Sequence, residues 1–152
     1  MNILIIEDEI PAGKRLSQLI NRFKPEARIL SVIDSVEASV KWLKSNTSPS
    51  LIFMDIQLAD GLSFDIFTQV SVQSPVIFTT AYDQYTLKAF KVNSIDYLLK
   101  PIDPEELAAA FDKFDNFYKA QISYDPLTIQ QLIKAMNQPE YKERFIIKIG
   151  QQ

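Results

Sequence analysis

The chain contains five short segments that are mostly apolar, and each of them is followed by a polar or charged residue. The runs occupy positions 2–6, 28–33, 50–54, 75–79 and 95–99. Continuous apolar runs of this length are typical of strands that are buried on both faces, as in a parallel sheet. Because each run is followed by a stretch with apolar residues at helical spacing, the pattern predicts five successive βα units.

The segments after the runs predict helices that cover the two faces of this sheet. The predicted helices occupy 10–23, 35–45, 62–72, 83–91 and 104–118. Asp34 or Ser35 is expected to cap the second helix and Asp103 the fifth, because short polar side chains accept hydrogen bonds from the first amides of a helix. The predicted fold class is therefore α/β, a doubly wound parallel sheet with right-handed crossovers.

Composition limits the chemistry that is open to the chain. Its 152 residues suffice for one domain with a short appendage. There is no cysteine and no histidine, which excludes disulfides, thiol nucleophiles, Ser-His triads and zinc sites built on those ligands. The net charge of −3 argues against this chain wrapping nucleic acid. No apolar run approaches a membrane span and the N-terminus lacks a signal pattern, so we expect a cytoplasmic protein without a membrane segment.

Polar side chains follow four of the five predicted strands. Glu7 and Asp8 come after the first, Asp55 after the third, Thr80 after the fourth and Lys100 after the fifth. Parallel strands place these residues at one edge of the sheet, where open α/β sheets bind ligands. Three crowded carboxylates repel one another unless a cation compensates. Oxygen ligands without histidine suit Mg²⁺.

These residues fit phosphoryl transfer to a carboxylate. Asp55 would be the nucleophile and would form an aspartyl-phosphate, while Mg²⁺, Lys100 and Thr80 would position the group and neutralise its charge. Taken one at a time, the same residues have simpler interpretations as solvated acids, a helix cap, a turn hydroxyl and a surface charge. Their joint occurrence at the ends of four strands favours a functional site.

Residues 1–119 resemble a response-regulator receiver domain, the CheY-like fold of two-component signalling. The matching segments are IIEDE at 5–9, IFMDI at 52–56, FTTA at 78–81 and DYLLKPI at 96–102. The resemblance implies a flavodoxin-like (βα)5 sheet with strand order 2-1-3-4-5. It also implies a phosphoacceptor switch that is not a turnover enzyme.

The resemblance assigns roles to the residues of the predicted site. Asp55 is phosphorylated by a partner sensor histidine kinase or by a small phosphodonor. Asp8 and Asp55 bind Mg²⁺ directly, Gln57 contributes its backbone carbonyl oxygen, and Glu7 acts through water. Lys100 pairs with Asp55 and then with the phosphoryl group.

The resemblance also implies a conformational switch. Thr80 moves toward the phosphoryl group and Tyr97 rotates inward, and the peptide bond between Lys100 and Pro101 is cis. The face formed by the predicted helix 83–91, the fifth strand and the fifth helix then becomes a homodimer surface. Tyr97 taken alone is more often a packing residue.

Two features depart from the family pattern. The segment after Asp55 has Ala59 where a proline is common, and its glycine, Gly61, comes early. Tyr82 lies two residues after Thr80, and we hypothesise that it shields the acyl phosphate from water and slows its hydrolysis.

The pattern changes after residue 119. Positions 120–140 are interpreted as a linker with a short amphipathic helix at 127–136. The segment RFIIKIG at 144–150 resembles the opening of a LytTR-type DNA-binding domain, so 141–152 is interpreted as the start of a truncated effector domain. DNA binding would then need the missing part. The alternative is a β-rich tail that folds back or pairs with another copy.

Two other classes of protein use related chemistry. A phosphohydrolase of the haloacid dehalogenase type also has an aspartate nucleophile and Mg²⁺, but it expects Asp-x-Asp after its first strand. A flavodoxin-like cofactor carrier needs a phosphate-binding loop after the first strand, where the acids Glu7 and Asp8 would repel phosphate. A P-loop motif is absent from the sequence.

Overall fold

A computed structural model of the chain describes residues 1–81 and 94–121, with side chains up to residue 116. The predicted helix 83–91, Tyr82 and the predicted elements of the tail lie outside the described residues. Residues Met1–Phe114 form one compact unit. The domain boundaries suggested by the sequence remain predictions.

The centre of the fold is a sheet of five parallel strands. They are β1 (Asn2–Ile6), β2 (Arg28–Ile33), β3 (Leu51–Asp55), β4 (Val76–Thr80) and β5 (Ser94–Leu99). Their order is β2-β1-β3-β4-β5 and all neighbouring pairs are parallel. The predicted α/β fold and its strand order are confirmed. The order reverses at β1, so the carboxyl ends of β1 and β3 flank the crevice where such sheets bind ligands.

Four helices are described beside this sheet. They are α1 (Ile10–Phe23), α2 (Val36–Ser45), α3 (Ile66–Gln69) and a last helix at Pro104–Gln121. Ser35 caps α2, because its Oγ accepts the amide of Ala38 at 3.1 Å. Asp103 accepts the amide of Glu105 at 2.9 Å at the start of the last helix. None of the helices in the described ranges combines the length and the apolar character that a bilayer span requires.

The central strands β1, β3 and β4 bury both of their faces, which explains their mostly apolar sequences. The edge strands β2 and β5 are only partly buried. On one face the sheet packs against α1 and the last helix; on the other it packs against α2 and α3. The first core cluster includes Ile3, Ile5, Leu16, Ile20, Phe53, Ile77, Leu107 and Phe111. The second includes Leu4, Ile6, Val36, Val40, Met54, Ile66, Val76 and Phe78. Successive strand residues alternate between the two clusters, as the pleat of a strand requires.

The prediction of a helix over 62–72 is wrong in its extent. A 3-10 turn at Ser63–Asp65 leads into a single α-helical turn at Ile66–Gln69. The segment is rich in β-branched residues, which lose side-chain freedom in a helix and lower its propensity. Val70 and Val72 instead pack, half-buried, against the second core cluster.

A short hairpin follows β3, and the sequence did not predict it. Gln57–Leu58 pairs antiparallel with Gly61–Leu62. Gly61 has a φ of +147°, a conformation that residues with a side chain rarely adopt. The early glycine noted in the sequence therefore serves this tight hairpin, hereafter called the 57–62 hairpin.

Candidate functional site

Three carboxylates meet at the carboxyl ends of β1 and β3. One carboxyl oxygen from each of Glu7, Asp8 and Asp55 lies within 4.8 Å of the others. Glu7 and Asp55 are buried, with 5% of each residue exposed, whereas Asp8 is half-buried. The parallel register of β1 with β3 brings the three acids together, since it pairs Ile6 with Met54 just before the strands end.

Lys100 connects two of these acids from the far side of β4. Its Nζ lies 2.5 Å from Oε1 of Glu7 and 2.9 Å from Oδ2 of Asp55. The Lys100 backbone is held by its amide, which donates to the carbonyl oxygen of Thr80 at 2.7 Å. The peptide bond between Lys100 and Pro101 is cis, as the family resemblance implies.

Burial and mutual repulsion perturb the acids of this cluster. Burial raises the pKa of Glu7 above its ordinary value, and neighbouring Asp55 raises it further, against the opposing effect of Lys100. Burial also raises the pKa of Asp8, and the proximity of Glu7 adds to that shift. For Lys100, burial alone would lower the pKa, but the hydrogen bonds to Glu7 and Asp55 prevail and raise it.

The donor set of the cluster fits a hard divalent cation. Three carboxylates and one ammonium group leave excess negative charge at the site. The donors are oxygen atoms, and half-buried Asp8 keeps one side of the cluster open to solvent. Mg²⁺ binds through one or two carboxylates and retains several waters, which matches this combination of acids and access.

The backbone of Gln57 lies beside the cluster. Its amide donates to Oδ1 of Asp55 at 3.3 Å, so the start of the 57–62 hairpin is tied to the predicted phosphoacceptor. The side chain of Gln57 is exposed. Its carbonyl oxygen, the predicted metal ligand, therefore belongs to a segment in direct contact with Asp55.

The two predicted switch residues occupy the neighbouring strands. Thr80 is the last residue of β4 and is buried, with 1% exposed. It pairs with Leu99 of β5. Tyr97 lies in β5 opposite Phe78 and packs, half-buried, against the second core cluster. Next to it, the exposed ammonium of Lys113 lies 3.3 Å from Oδ1 of Asp96.

Asp60 is a residue whose role the sequence did not indicate. Its Oδ1 accepts the amide of Val36 at 2.8 Å and its Oδ2 accepts the amide of Glu37 at 3.1 Å. These two hydrogen bonds hold the pKa of Asp60 below its ordinary value. The Asp-Gly pair is a turn signal, but its partner amides are 24 and 23 residues away, which no local pattern reveals.

An open groove of about 510 Å³ lies between α2 and α3. Asp60 and Asp65 belong to its lining, together with Lys41 and Lys44 of α2. None of the residues of the acidic cluster contributes to it. The groove is therefore separate from the site at the strand ends.

Comparisons with known proteins agree with this architecture. The family model described as "Response regulator receiver domain" matches residues 3–112. A sensory transduction protein LytT of Bacillus anthracis is 37% identical over 125 residues, covering 80% of this chain and 50% of the relative. LytT of Bacillus subtilis is 34% identical over 117 residues, covering 75% of this chain and 48% of the relative.

A solved structure shows the same fold. The response regulatory domain of protein mrkE from Klebsiella pneumoniae superposes with a TM-score of 0.68 at 28% identity, covering 79% of this chain and 99% of that one. The chain spans about half the length of the two LytT relatives. Receiver domains are signalling switches that bind Mg²⁺ at an acidic pocket. With the sheet order, the acidic cluster and the family match in agreement, the chain belongs to the response-regulator receiver family and is the receiver domain of a two-component response regulator.

Proposed function

We propose that Asp55 accepts a phosphoryl group from a sensor histidine kinase, or from a small phosphodonor, in a reaction that depends on Mg²⁺. The observation that carries this proposal is the meeting of three carboxylates within 4.8 Å at the ends of β1 and β3, with Lys100 bridging two of them. The proposed role is that of a phosphoacceptor switch, with no turnover activity beyond phosphotransfer and self-dephosphorylation.

The proposed reaction is a displacement at phosphorus. A carboxylate oxygen of Asp55 forms a bond to phosphorus while the bond from phosphorus to the donor breaks, and the donor keeps that electron pair. Lys100, 2.9 Å from Oδ2 of Asp55, stabilises the charge that collects on the transferred oxygens. Asp8, Asp55 and the carbonyl oxygen of Gln57, with Glu7 through water, would hold a Mg²⁺ ion that neutralises those same oxygens.

The conformational change that follows phosphorylation would involve Thr80 and Tyr97. Thr80 would move toward the phosphoryl group as its hydroxyl becomes a hydrogen-bond donor to it, and Tyr97 would turn inward from its half-buried position. The dimer surface would include β5, at the edge of the sheet, and the last helix. Leu99, with 43% exposed, adds apolar area to that edge.

The whole regulator would control transcription from the cytoplasm. The matched regions make up only 50% and 48% of the relatives named LytT, which leaves room for an effector after the receiver domain at 1–119. We propose that 120–140 links the two and that 141–152 begins a LytTR-type domain. DNA would be bound by that domain and not by the receiver.

One experiment tests the central claim. The protein is incubated with acetyl phosphate, with and without Mg²⁺, and its intact mass is measured; beryllofluoride binding is followed by NMR in parallel. We expect a Mg²⁺-dependent adduct in wild type and in Asp65→Asn, which removes an exposed acid outside the cluster. Asp55→Asn should form none. An adduct that persists in Asp55→Asn, or its absence from wild type, would refute the proposal.

A further inference from the structure

The 57–62 hairpin determines where the Gln57 carbonyl lies relative to Asp55. At its base, the amide of Ser63 donates to the carbonyl oxygen of Ile56 at 2.8 Å. The amide of Gln57 donates to Asp55 at 3.3 Å. Any displacement of the hairpin would therefore move both the Gln57 carbonyl and a hydrogen bond to the Asp55 carboxylate.

The tip of the hairpin is fastened to another element. Asp60 accepts hydrogen bonds from the amides of Val36 and Glu37, at 2.8 and 3.1 Å. Both amides belong to the first turn of α2, whose N–H groups have no partner within the helix. A carboxylate is favoured there by the helix dipole and by charge-assisted hydrogen bonding. The contact therefore joins the tip of the 57–62 hairpin to the start of α2.

The first turn of α2 is itself fixed relative to the acidic cluster. Val36 and Val40 are buried in the second core cluster, and Ser35 caps the helix internally through the amide of Ala38. Just before α2, the carbonyl oxygen of Ile33 accepts the amide of Glu7 at 2.8 Å. The cluster is thus connected to the start of α2 from the β1 side through Glu7 and from the β3 side through Asp60.

We propose that Asp60 is a positioning residue for the metal site. By anchoring the 57–62 hairpin to α2, it holds the Gln57 carbonyl oxygen and the Asp55 carboxylate in the arrangement that binds Mg²⁺. Asp60 itself bonds to α2 and acts only through the hairpin. The inference rests on the proposed function, since it takes Gln57 and Asp55 as the ligands.

The test compares three variants of the protein with wild type by calorimetric titration with Mg²⁺. Asp60→Ala removes both hydrogen bonds to α2. Ser35→Ala removes the internal cap and weakens α2 without touching the hairpin, and Asp65→Asn removes a nearby exposed charge from the same groove. Loss of a residue that orients a metal ligand typically weakens affinity about 10-fold or more. We expect such a loss for Asp60→Ala and unchanged affinity for the two controls.

Asp60→Asn provides a milder variant that keeps the size of the side chain. Its amide oxygen can still accept one hydrogen bond from α2, while its NH₂ group cannot accept the other. We therefore expect a Mg²⁺ affinity between those of wild type and Asp60→Ala. This series also guards against a loss of affinity that is caused only by misfolding of the alanine variant.

A second readout needs no metal. In the metal-free protein, amide hydrogen exchange at Ser63, which closes the base of the hairpin, should be faster in Asp60→Ala than in Ser35→Ala. Equal Mg²⁺ affinity and equal exchange in Asp60→Ala and wild type would show that Asp60 merely caps α2. If wild type binds no Mg²⁺, the proposed function fails, and the exchange rates alone decide whether Asp60 anchors the hairpin.

Discussion

The Nζ atom of Lys100 lies 2.9 Å from Oδ2 of Asp55, although β4 separates the strands that carry the two residues. The side chains of both are mostly buried, with 18% and 7% exposed. The same ammonium group contacts Glu7. Lys100 therefore compensates part of the charge of the cluster and competes with any cation that binds there.

Replacement of Lys100 should separate its compensation of the acidic charge from its competition with a bound cation. Lys100→Met leaves Glu7 and Asp55 as uncompensated neighbours, and loss of one partner from a buried ion pair costs on the order of 3 kcal/mol. We expect this loss in the free energy of unfolding, measured with urea in EDTA. Because the cluster becomes more negative, Mg²⁺ should bind Lys100→Met more tightly than wild type and restore part of its stability.

Lys113→Met is the matched control for this substitution. Its ion pair with Asp96 involves a lysine side chain that is 59% exposed, and exposed pairs contribute only about 0 to 1 kcal/mol. Stability and Mg²⁺ affinity of this variant should stay close to wild type. Equal stability of Lys100→Met and Lys113→Met would contradict the compensating role of Lys100.

Mg²⁺ binding should weaken as the pH falls from neutral into the mildly acidic range. The pKa values of Glu7 and Asp8 are both raised, so these groups take up protons at higher pH than ordinary carboxyls, and a proton competes with the cation. Calorimetric titration across this range measures the effect. Asp8→Asn should bind Mg²⁺ weakly at every pH, and a pH-independent affinity in wild type would contradict the prediction.

The same pKa shifts fix the sign of the pH dependence of stability in the metal-free protein. A carboxyl whose folded pKa is raised contributes stability below its unfolded pKa and loses that contribution as the pH rises through its folded pKa. Glu7 should therefore make the metal-free protein less stable near neutral pH than in mild acid. Glu7→Gln should reduce this slope, as measured by urea unfolding at a series of pH values.

Asp60 should make the protein more stable as the pH rises, which is opposite to the effect of Glu7. Its pKa is lowered in the folded protein, so its contribution is present above the unfolded pKa and is lost as the pH falls through the folded value. Wild type should be more stable than Asp60→Asn near neutral pH, and the difference should shrink in acid below the ordinary pKa of 3.8. A stability difference that does not change with pH would argue against the role of the Asp60 charge.

Alanine at Gly61 should destabilise the hairpin. The φ of +147° at Gly61 costs a residue with a side chain about 1 to 3 kcal/mol. Gly13→Ala is the control: its Cβ would lie 3.2 Å from Cγ1 of Val32, but alanine gains up to about 1 kcal/mol of helix propensity there. Thermal unfolding should show the larger loss for Gly61→Ala. A larger loss for Gly13→Ala would contradict this ranking.

The sheet and its acidic edge could be predicted from the sequence because their signals are local. An apolar run such as 51–54 followed by Asp55 indicates both a buried strand and a polar strand end. Parallel pairing then brings Glu7, Asp8 and Asp55 together without further information. The bounds of α1 were predictable for the same reason, since helical spacing begins and ends within the segment itself.

The segment after β3 could not be predicted, because its conformation depends on distant partners. Positions 62–72 have apolar residues at helical spacing, yet Gly61–Leu62 pairs with Gln57–Leu58, and the helix is restricted to Ile66–Gln69. Asp60 finds its partners in α2. The roles of Thr80 and Tyr97 depend on a second conformation and remain predictions.

The contact of Lys100 with two acids has a consequence for the order of folding and metal binding. Some small metal-binding domains remain unfolded until the ion arrives, because binding of the ion supplies much of their folding free energy. Here the ammonium group is a built-in counterion, placed by the chain itself between Glu7 and Asp55. The domain can therefore assemble its acidic edge before any divalent ion is present, which leaves cation binding as a separate and reversible step.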